Sequence, residues 1–376
     1  MFEPLKHMLI KEFHQIFRDP RMRAILFITP IMQMLIFGYA VNTDVNRVAM
    51  AVFDLDNSVS SRELVSRFEQ SPYFEITHRI RRHGEIEPLI DHDTVDAVVR
   101  IDKGFEQSLL GEGRAPVQLI VDGIDSNTAR IVLNYTQDLT DRFSRDQLLR
   151  RLDRLYGARK EPAQLELESR AWFNTNLESR MFYVPGVIAL LVMVVTILLT
   201  SMAVVREKEI GTMEQLIVTP VKSWEFILGK LIPFAMIGFL DVIMVSFIAV
   251  FWFDIPIRGN PLILLFSAGL YLMTTLGIGL FISTVSRTQQ QAMMTTFFFI
   301  FPATLLSGFV FPIDNMPEVV QWITYLDPFR YFLVIIRGIF LKGVGIEILW
   351  PQMAALFFLG TVTLSLTLQR FQKTLV

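Results

Sequence analysis

The sequence Arg206-Glu-Lys-Glu-Ile-Gly-Thr-Met-Glu-Gln-Leu-Ile-Val-Thr-Pro220 connects two long apolar runs, residues 184–205 and 226–253. Each run reaches the roughly 20 apolar residues that a helix needs to cross a bilayer. A charged connection this short, held between two membrane helices, leaves no room for a catalytic domain. We therefore interpret residues 206–223 as a hairpin that contacts a soluble partner.

The hairpin has its own predicted structure. Gly211 is expected to end the preceding helix, and Thr212 can cap a second helix, with Gln215 completing a capping box. That second helix must be short, because Thr219 precedes Pro220 and is thereby disfavoured in the helical region. The acidic side chains that we expect to be available to the partner are those of Glu209 and Glu214.

The composition is that of an integral membrane protein with a soluble part. Hydrophobic residues make up 52% of the chain and charged residues 19%, and the mean hydropathy is +0.43. The net charge of −2 gives no reason to expect a nucleic-acid partner. The chain has no cysteine, which excludes disulfides and thiolate sites.

Six apolar runs predict an α-helical membrane protein with six transmembrane helices. The predicted crossings cover residues 24–43, 184–205, 226–253, 262–285, 292–311 and 349–368. Residues 1–23 are basic and carry apolar residues at helical spacing, which predicts an amphipathic elbow helix at the cytoplasmic surface. This helix is either a contact for an ATPase or a simple positive-inside anchor. Six crossings place both termini in the cytoplasm.

Residues 44–178 interrupt the apolar pattern after the first crossing and predict an inserted extracytoplasmic α/β domain, because short β-rich runs alternate with helical patterns. The predicted strands cover residues 48–53, 73–77, 97–101, 117–121 and 165–172. The predicted helices cover residues 60–69, 84–90, 105–110 and 127–155. The remaining crossings and the hairpin occupy residues 179–376.

A second block of sequence lies before the last crossing. It reads Leu306-Ser-Gly-Phe-Val-Phe-Pro-Ile-Asp-Asn-Met-Pro317 and is followed by Tyr325-Leu-Asp-Pro328. Two short apolar helices, each introduced by proline, indicate an outer re-entrant or interfacial segment at residues 311–348. The residues predicted to form this outer gate are Ser307, Gly308, Pro312, Met316, Pro317 and Pro328.

The hairpin and the second block, in this order and spacing, resemble the permeases of ABC-2-type transporters. The large insertion after the first helix is similar to that of the bacterial multidrug-efflux branch. This resemblance implies that the hairpin couples the chain to an ATPase through Arg206, Glu207, Glu209, Gly211, Thr212, Glu214, Gln215, Thr219 and Pro220. It also implies a second permease, identical or paralogous, and a periplasmic membrane-fusion adaptor. The expected location is the bacterial inner membrane, with the large domain in the periplasm and with lipid around the helices.

The chain has no sequence for ATP hydrolysis of its own. The phosphate-binding pattern Gly-x-x-x-x-Gly-Lys-Ser/Thr does not occur. We therefore expect no enzyme activity and no cofactor in this chain, with ATP and Mg²⁺ bound by the partner ATPase. No residues form a catalytic constellation, and the aspartates at strand ends are better explained by turns than by a metal site.

The candidate substrate path rests on one charge and on aromatic residues. Asp241 lies in the middle of the run 226–253, where an isolated charge costs about 2.5–3.5 kcal/mol on insertion scales. It either lines the export path, binding a cationic substrate or a proton, or pairs with a polar neighbour such as Tyr271 or Gln33. The aromatic residues proposed for the path are Phe298, Phe301 and Phe309. The alternative is that they are ordinary lipid-facing side chains.

These features together predict the membrane-spanning permease subunit of an ABC exporter that moves amphipathic compounds, drugs among them, out of the cytoplasm or inner membrane. The substrate, the identity of the second permease and the use of an adaptor stay open. One alternative is an ion-coupled secondary transporter that uses Asp241, although the internal repeat expected of that class is not evident. Another is a membrane-anchored receptor or scaffold.

Overall fold

The computed structural model describes residues 9–11, 13–14, 18, 20–40, 47–111, 114–156, 172–174, 178–211 and 223–374. The chain divides into two compact units. The membrane unit consists of Met1–Asn42 and Arg170–Val376, and the α/β unit consists of Thr43–Ser169.

The described residues form helices α1–α12 and strands β1–β4. In chain order these are α1 (Pro20–Arg23, π-helical Ala24–Ile28 and Thr29–Ala40), β1 (Val48–Asp54), α2 (Val59–Gln70), β2 (Phe74–Arg79), α3 (Ile86–Asp91), β3 (Ala97–Ile101), α4 (Phe105–Leu110), β4 (Val117–Val121), α5 (Ser126–Tyr156), α6 (Ser179–Ile210), α7 (Ser223–Phe251), α8 (Pro261–Val285), α9 (Gln289–Leu306), α10 (Glu318–Thr324), α11 (Pro328–Arg337) and α12 (Ile346–Thr374).

The α/β unit is built on a four-stranded sheet with the order β2-β1-β3-β4. β1 is parallel to β2 and β3, whereas β4 is antiparallel to β3. β1 reads as an almost continuous apolar run because its two faces contribute to two different cores. Met50 packs in a core with Leu64 and Phe68 of α2, and Phe53 packs in the other core with Ile86 of α3. The strands predicted near residues 48, 73, 97 and 117 are confirmed, and the strand predicted at 165–172 lies almost entirely outside the described residues.

Aspartates after β1 hold turns, as expected from the sequence. Asp54 accepts hydrogen bonds from the N–H groups of Asp56 and Asn57, and Asp56 accepts from the N–H of Gly104 at 2.7 Å. Hydrogen bonds from the Ser58 side chain and from backbone N–H groups hold the pKa of the Asp56 carboxyl below its usual range. In the described parts of the chain no group of three or more metal-ligating side chains is assembled.

The membrane unit is organised around α6, which packs against α1, α7, α8, α9 and α11. Four described helices are long and apolar enough to cross a membrane: α6, α7, α8 and α12. The first predicted crossing contains a shorter apolar helix, Leu26–Ala40, and the fifth, predicted at 292–311, overlaps α9, which has 18 residues. A helix is therefore found at each of the six predicted crossings. That all six helices cross the membrane completely stays a prediction.

α1 contains a π-helical segment because of a proline. Pro30 has no N–H, so the regular helical hydrogen bond to residue 26 cannot form there. The N–H of Thr29 instead donates to the carbonyl of Ala24, five residues back. Such single-turn π segments are a common way to absorb an irregularity inside a helix.

The segment predicted to be re-entrant consists of two short helices. α10 is followed by α11, which continues into the π-helical Gly338–Lys342, and the two parts are bent by 79°. Asp327 caps α11 by accepting from the N–H of Phe329 at 2.9 Å, and Pro328 occupies the first turn of that helix. Proline fits this position because the first turn leaves its N–H groups unbonded in any case.

Candidate functional site

The best-defined polar site of the membrane unit is the charged C-terminal end of α6, residues 206–211. α6 continues past its apolar run to Ile210 and ends at Gly211, which has a φ of +82°. Glycine adopts this left-handed conformation without steric cost. The N–H of Gly211 donates to the carbonyl of Lys208 at 3.3 Å. The prediction that Gly211 ends the helix is confirmed.

Glu207 lies at the centre of this site. Its side chain is buried, with 6% of the residue exposed. One carboxylate oxygen, Oε1, accepts hydrogen bonds from Lys230 Nζ at 2.8 Å and from Lys11 Nζ at 3.1 Å. Lys230 belongs to α7 and is itself only 3% exposed. One acidic group therefore joins α6 and α7 to Lys11, and we call residues 9–18, which include Lys11, the N-terminal segment.

The next two residues join the same end of α6 to α8 and α9. Lys208 Nζ donates to the carbonyl of Thr284 at 2.9 Å. The Glu209 carboxylate accepts from the backbone N–H of Gln289 at 2.9 Å and also from the Gln289 side-chain amide. Gln289 is the first residue of α9. The end of α6 is thus bonded to four other parts of the membrane unit, and we call residues 206–211 the α6 hub.

The hub adds a contact within the chain for one hairpin residue that is predicted to meet a soluble partner. Glu209 is exposed, and its carboxylate binds Gln289 of the same chain, so its contact with a partner stays a prediction. Arg206 is half-buried at the start of the hub. The remaining predicted coupling residues, which lie outside the described residues, are Thr212, Glu214, Gln215, Thr219 and Pro220.

An apolar groove of about 820 Å³ lies between α1, α6 and α9. Its wall on α9 includes Phe298 and Phe301, which are 84% and 69% exposed. Gln33 on α1 contributes the carboxamide of the groove, and its Oε1 is buried without a hydrogen-bond partner among the described residues. The other lining residues are Phe37, Leu190, Leu191, Val194, Met294, Phe297, Ile300, Pro302 and Thr304.

The structure does not bring the four predicted path residues together. Phe309 is 8% exposed and packs in the core, with its ring centroid 6.0 Å from that of Tyr183 and 5.8 Å from that of Phe329. Asp241 is 2% exposed on α7. Neither residue lines the groove of Phe298 and Phe301.

Asp241 also lacks the polar neighbour that the sequence suggested. The hydroxyl of Tyr271 donates to the carbonyl of Ala189 at 3.2 Å. Both carboxyl oxygens of Asp241 are buried without a hydrogen-bond partner among the described residues, as is Gln33 Oε1. Pairing with Tyr271 or Gln33 is therefore wrong.

The six predicted gate residues form consecutive turns between α9 and α11. Ser307 caps the end of α9, since its hydroxyl donates to the carbonyl of Thr304 at 2.9 Å and accepts from the N–H of Phe309 at 3.1 Å. Gly308 has a φ of +86°, which turns the chain after α9. Pro312, Met316, Pro317 and Pro328 lie at the ends of the short helical turns that follow. Their contacts are those of structural turns, and a gate remains a prediction.

Comparisons with known proteins agree with these features. The family model described as "ABC-2 family transporter protein" matches residues 21–368. The chain is 33% identical over 373 residues to the probable multidrug ABC transporter permease YbhR of Escherichia coli, covering 99% of each chain. It is 33% identical to YbhS of the same organism over 95% of this chain and 94% of that one. The linearmycin resistance permease protein LnrN of Bacillus subtilis is 20% identical over 88% of this chain and 90% of its own length. The chain therefore belongs to the ABC-2 family of transporter membrane proteins.

Proposed function

We propose that the chain is the permease subunit of an ABC exporter that moves amphipathic compounds, drugs among them, out of the cytoplasm or inner membrane. ATP is hydrolysed by a separate subunit, which also binds Mg²⁺. The observation that carries the proposal is the α6 hub. A partner that displaces the hairpin 206–223 acts on the N-terminal segment, α7, α8 and α9 together through Glu207, Lys208 and Glu209.

The hub also suggests how movement reaches the substrate. Glu209 holds Gln289 at the start of α9, and the same helix carries Phe298 and Phe301 in the wall of the groove. Closure of the ATPase subunits on ATP displaces the hairpin, and α9 moves with the end of α6. Transport follows only if the ATP-bound state and the outward-open state stabilise each other.

The groove indicates the class of substrate. Its lining is apolar and aromatic, with Gln33 Oε1 as a hydrogen-bond acceptor that has no partner among the described residues. Pockets of this kind hold ligands with a large apolar body and a few polar groups. Two relatives carry the name probable multidrug ABC transporter permease, which supports the same class for this chain.

The hub also supports a proposed arrangement in the membrane. Lys11 binds Glu207, so the N-terminal segment and the end of α6 lie at the same face of the membrane unit. The basic residues at that face favour the cytoplasm, and this supports our proposal of a periplasmic α/β unit. The groove is open on one side, and we propose that a second permease, identical or paralogous, closes it. A periplasmic adaptor would receive the substrate from the α/β unit.

The groove assignment is tested by removing its aromatic wall. In proteoliposomes that contain the permease and its ATPase, the double variant Phe298→Ala/Phe301→Ala should raise the half-saturating concentration of a fluorescent amphipathic dye about tenfold. Loss of about 1.5 kcal/mol of apolar contact corresponds to a factor of this size.

The matched control is Phe357→Ala/Phe358→Ala on α12. These rings are also exposed, at 57% and 67%, and do not line the groove. The control should transport dye like the wild type. An equal effect in both double variants, or no effect in either, contradicts the assignment of the groove.

An ion-coupled secondary transporter is the second candidate function, and it is favoured by the buried Asp241, which has no hydrogen-bond partner in the described part of the chain. The two candidates differ in their source of energy. Dye movement that follows an imposed pH gradient in the absence of ATP supports the secondary transporter, whereas dye movement that requires ATP hydrolysis supports the exporter.

A further inference from the structure

Asp241 is the only Asp, Glu, Lys, Arg or His in the apolar stretches of the membrane helices that are given next. Residues 24–40, 181–205, 231–253, 261–285, 292–311 and 348–369 contain no other Asp, Glu, Lys, Arg or His. Ionisable side chains inside membrane helices are rare, and they commonly mark ion or proton pathways. The position therefore calls for a physical explanation.

The interface around Asp241 is closed to water. Gly238, one turn earlier on α7, is so close to α6 and α8 that a Cβ there would meet Leu272 and would come within 3.0 Å of Thr196 Cγ2. Val242 and Val245, on the same side of α7, have no exposed surface. The carboxyl of Asp241 is thus enclosed by tight helix packing.

The hydroxyl groups on the facing helices are already occupied. Thr196 Oγ1 donates to the carbonyl of Val192 at 2.6 Å and lies 3.0 Å from Thr275 Oγ1. The Tyr271 hydroxyl is bonded to Ala189. No described donor reaches either oxygen of Asp241.

Among the described residues, no charged group faces Asp241 from the helices packed against α7, which are α1, α6, α8 and α12. The stretches of α1 and α12 given above and the whole of α8 are free of charge. α6 carries charges only near its ends, at Arg180 and at residues 206–209. The nearest charge on α7 is Lys230, 11 residues earlier in the sequence and therefore about 16 Å away along the axis. Lys230 is bonded to Glu207.

We propose that Asp241 is a proton-binding site that carries its proton in this conformation and exchanges it with water when α7 separates from its neighbours. A carboxylate without a donor or counter-charge is far more costly to bury than a neutral carboxylic acid. In the exchange only the O–H bond breaks and re-forms, and the proton passes between the carboxyl oxygen and water. The proton itself is inferred from the packing alone. Its exchange during the transport cycle rests on the proposed function.

The proton is tested by infrared spectroscopy of the purified full chain in detergent at neutral pH. The carbonyl stretch of a protonated carboxyl group should be present in the wild type and weaker in Asp241→Asn, because a second buried carboxyl group, that of Asp327, has an unpartnered oxygen among the described residues. The matched control is Asp314→Asn, which changes an exposed aspartate of the outer segment and should leave the band unchanged. A band of equal intensity in the wild type and in Asp241→Asn, or a wild-type spectrum without the band, overturns the proposal.

The exchange is tested by the pH profile of ATP-driven dye export in proteoliposomes. In a plot of the logarithm of the export rate against pH, the wild type should show a limb with a slope of one, as expected when a single group gains or loses one proton. Asp241→Asn should lose that limb, and Asp241→Glu, which keeps a carboxyl group, should regain it. A wild-type profile without the limb, or one that Asp241→Asn leaves unchanged, overturns the exchange. A complex that exports nothing at any pH contradicts the proposed function, and the infrared result then decides on the proton separately.

Discussion

Replacing Glu207 by alanine should abolish ATP-driven export and destabilise the membrane unit by about 3–5 kcal/mol, the usual cost of breaking a buried ion pair by removing one partner. Glu207 supplies the carboxylate oxygen that Lys230 and Lys11 share. With Lys230 only 3% exposed, its ammonium group would lose this counter-charge in a place where water cannot replace it. The ion pairs that hold the N-terminal segment, α6 and α7 together would be lost.

Lys11→Ala is the matched control for this prediction. It removes the other partner of the same oxygen, but the Lys11 side chain is 52% exposed, and exposed ion pairs contribute about 1 kcal/mol or less. The temperature at which the detergent-solubilised protein loses its monodisperse elution peak measures both variants. A Glu207→Ala protein that melts and exports like the wild type is incompatible with a structural hub at this residue.

Replacing Gly279 by alanine should force α6 and α8 apart and reduce both the amount of folded protein and its export. A Cβ at this position would clash with Thr200 Oγ1 and lie 2.8 Å from the carbonyl oxygen of Ile197. A backbone carbonyl inside a helix cannot rotate away as a side chain can. Overpacking of this kind costs typically 1–3 kcal/mol, and here it acts between α6, which ends in the hub, and α8, which contacts the hub through Thr284.

Gly269→Ala, also on α8, is the control variant. It shows whether the effect comes from this clash or from any glycine-to-alanine change in the helix. The nearest atom to its Cβ would be the ring tip of Phe239 at 3.2 Å, and that ring belongs to a side chain that can shift. We expect near-normal melting for Gly269→Ala and a lowered melting temperature for Gly279→Ala. Equal melting temperatures would show that the close approach of α6 and α8 does not stabilise the fold.

The local elements of both units could be predicted from the sequence because their signals are local. In the α/β unit, the apolar run of β1 and the helical pattern of α5 give the correct elements within a few residues. At the hairpin, the glycine at position 211 predicted the end of α6. These features depend on backbone preferences and on burial, which the sequence expresses directly.

The partners of individual side chains were not predictable in the same way. Glu209 has the charge expected of a docking residue, yet its carboxylate binds Gln289, 80 residues later in the chain. Lys230 offered a usable signal, since a lysine inside the apolar run 226–253 requires a counter-charge. The choice of Glu207 from the acidic residues of the hairpin depends on how α6 and α7 cross, and a single sequence does not specify that geometry.

The positions of the aromatic side chains were likewise not predictable from the sequence alone. Phe301 and Phe309 lie eight residues apart and are chemically identical, but α9 ends between them. The turn at Gly308 then directs Phe309 into the core, next to Tyr183 and Phe329, while Phe301 stays on the groove. Asp241 was recognisable as a charge in the middle of an apolar run, whereas the lack of a hydrogen-bond partner among the described residues became evident only from the packing of α7.

The central claim is that this chain is driven by a separate ATPase through the end of α6. The most direct test is affinity purification of the tagged full chain from its own host in mild detergent, followed by an ATPase assay of the eluate. The account predicts that an ABC-type ATPase elutes with the wild-type chain and gives ATP hydrolysis that a transported dye changes, and that this response is lost in Glu207→Ala. A chain that elutes without an ATPase, and an eluate that hydrolyses no ATP with or without dye, would contradict it.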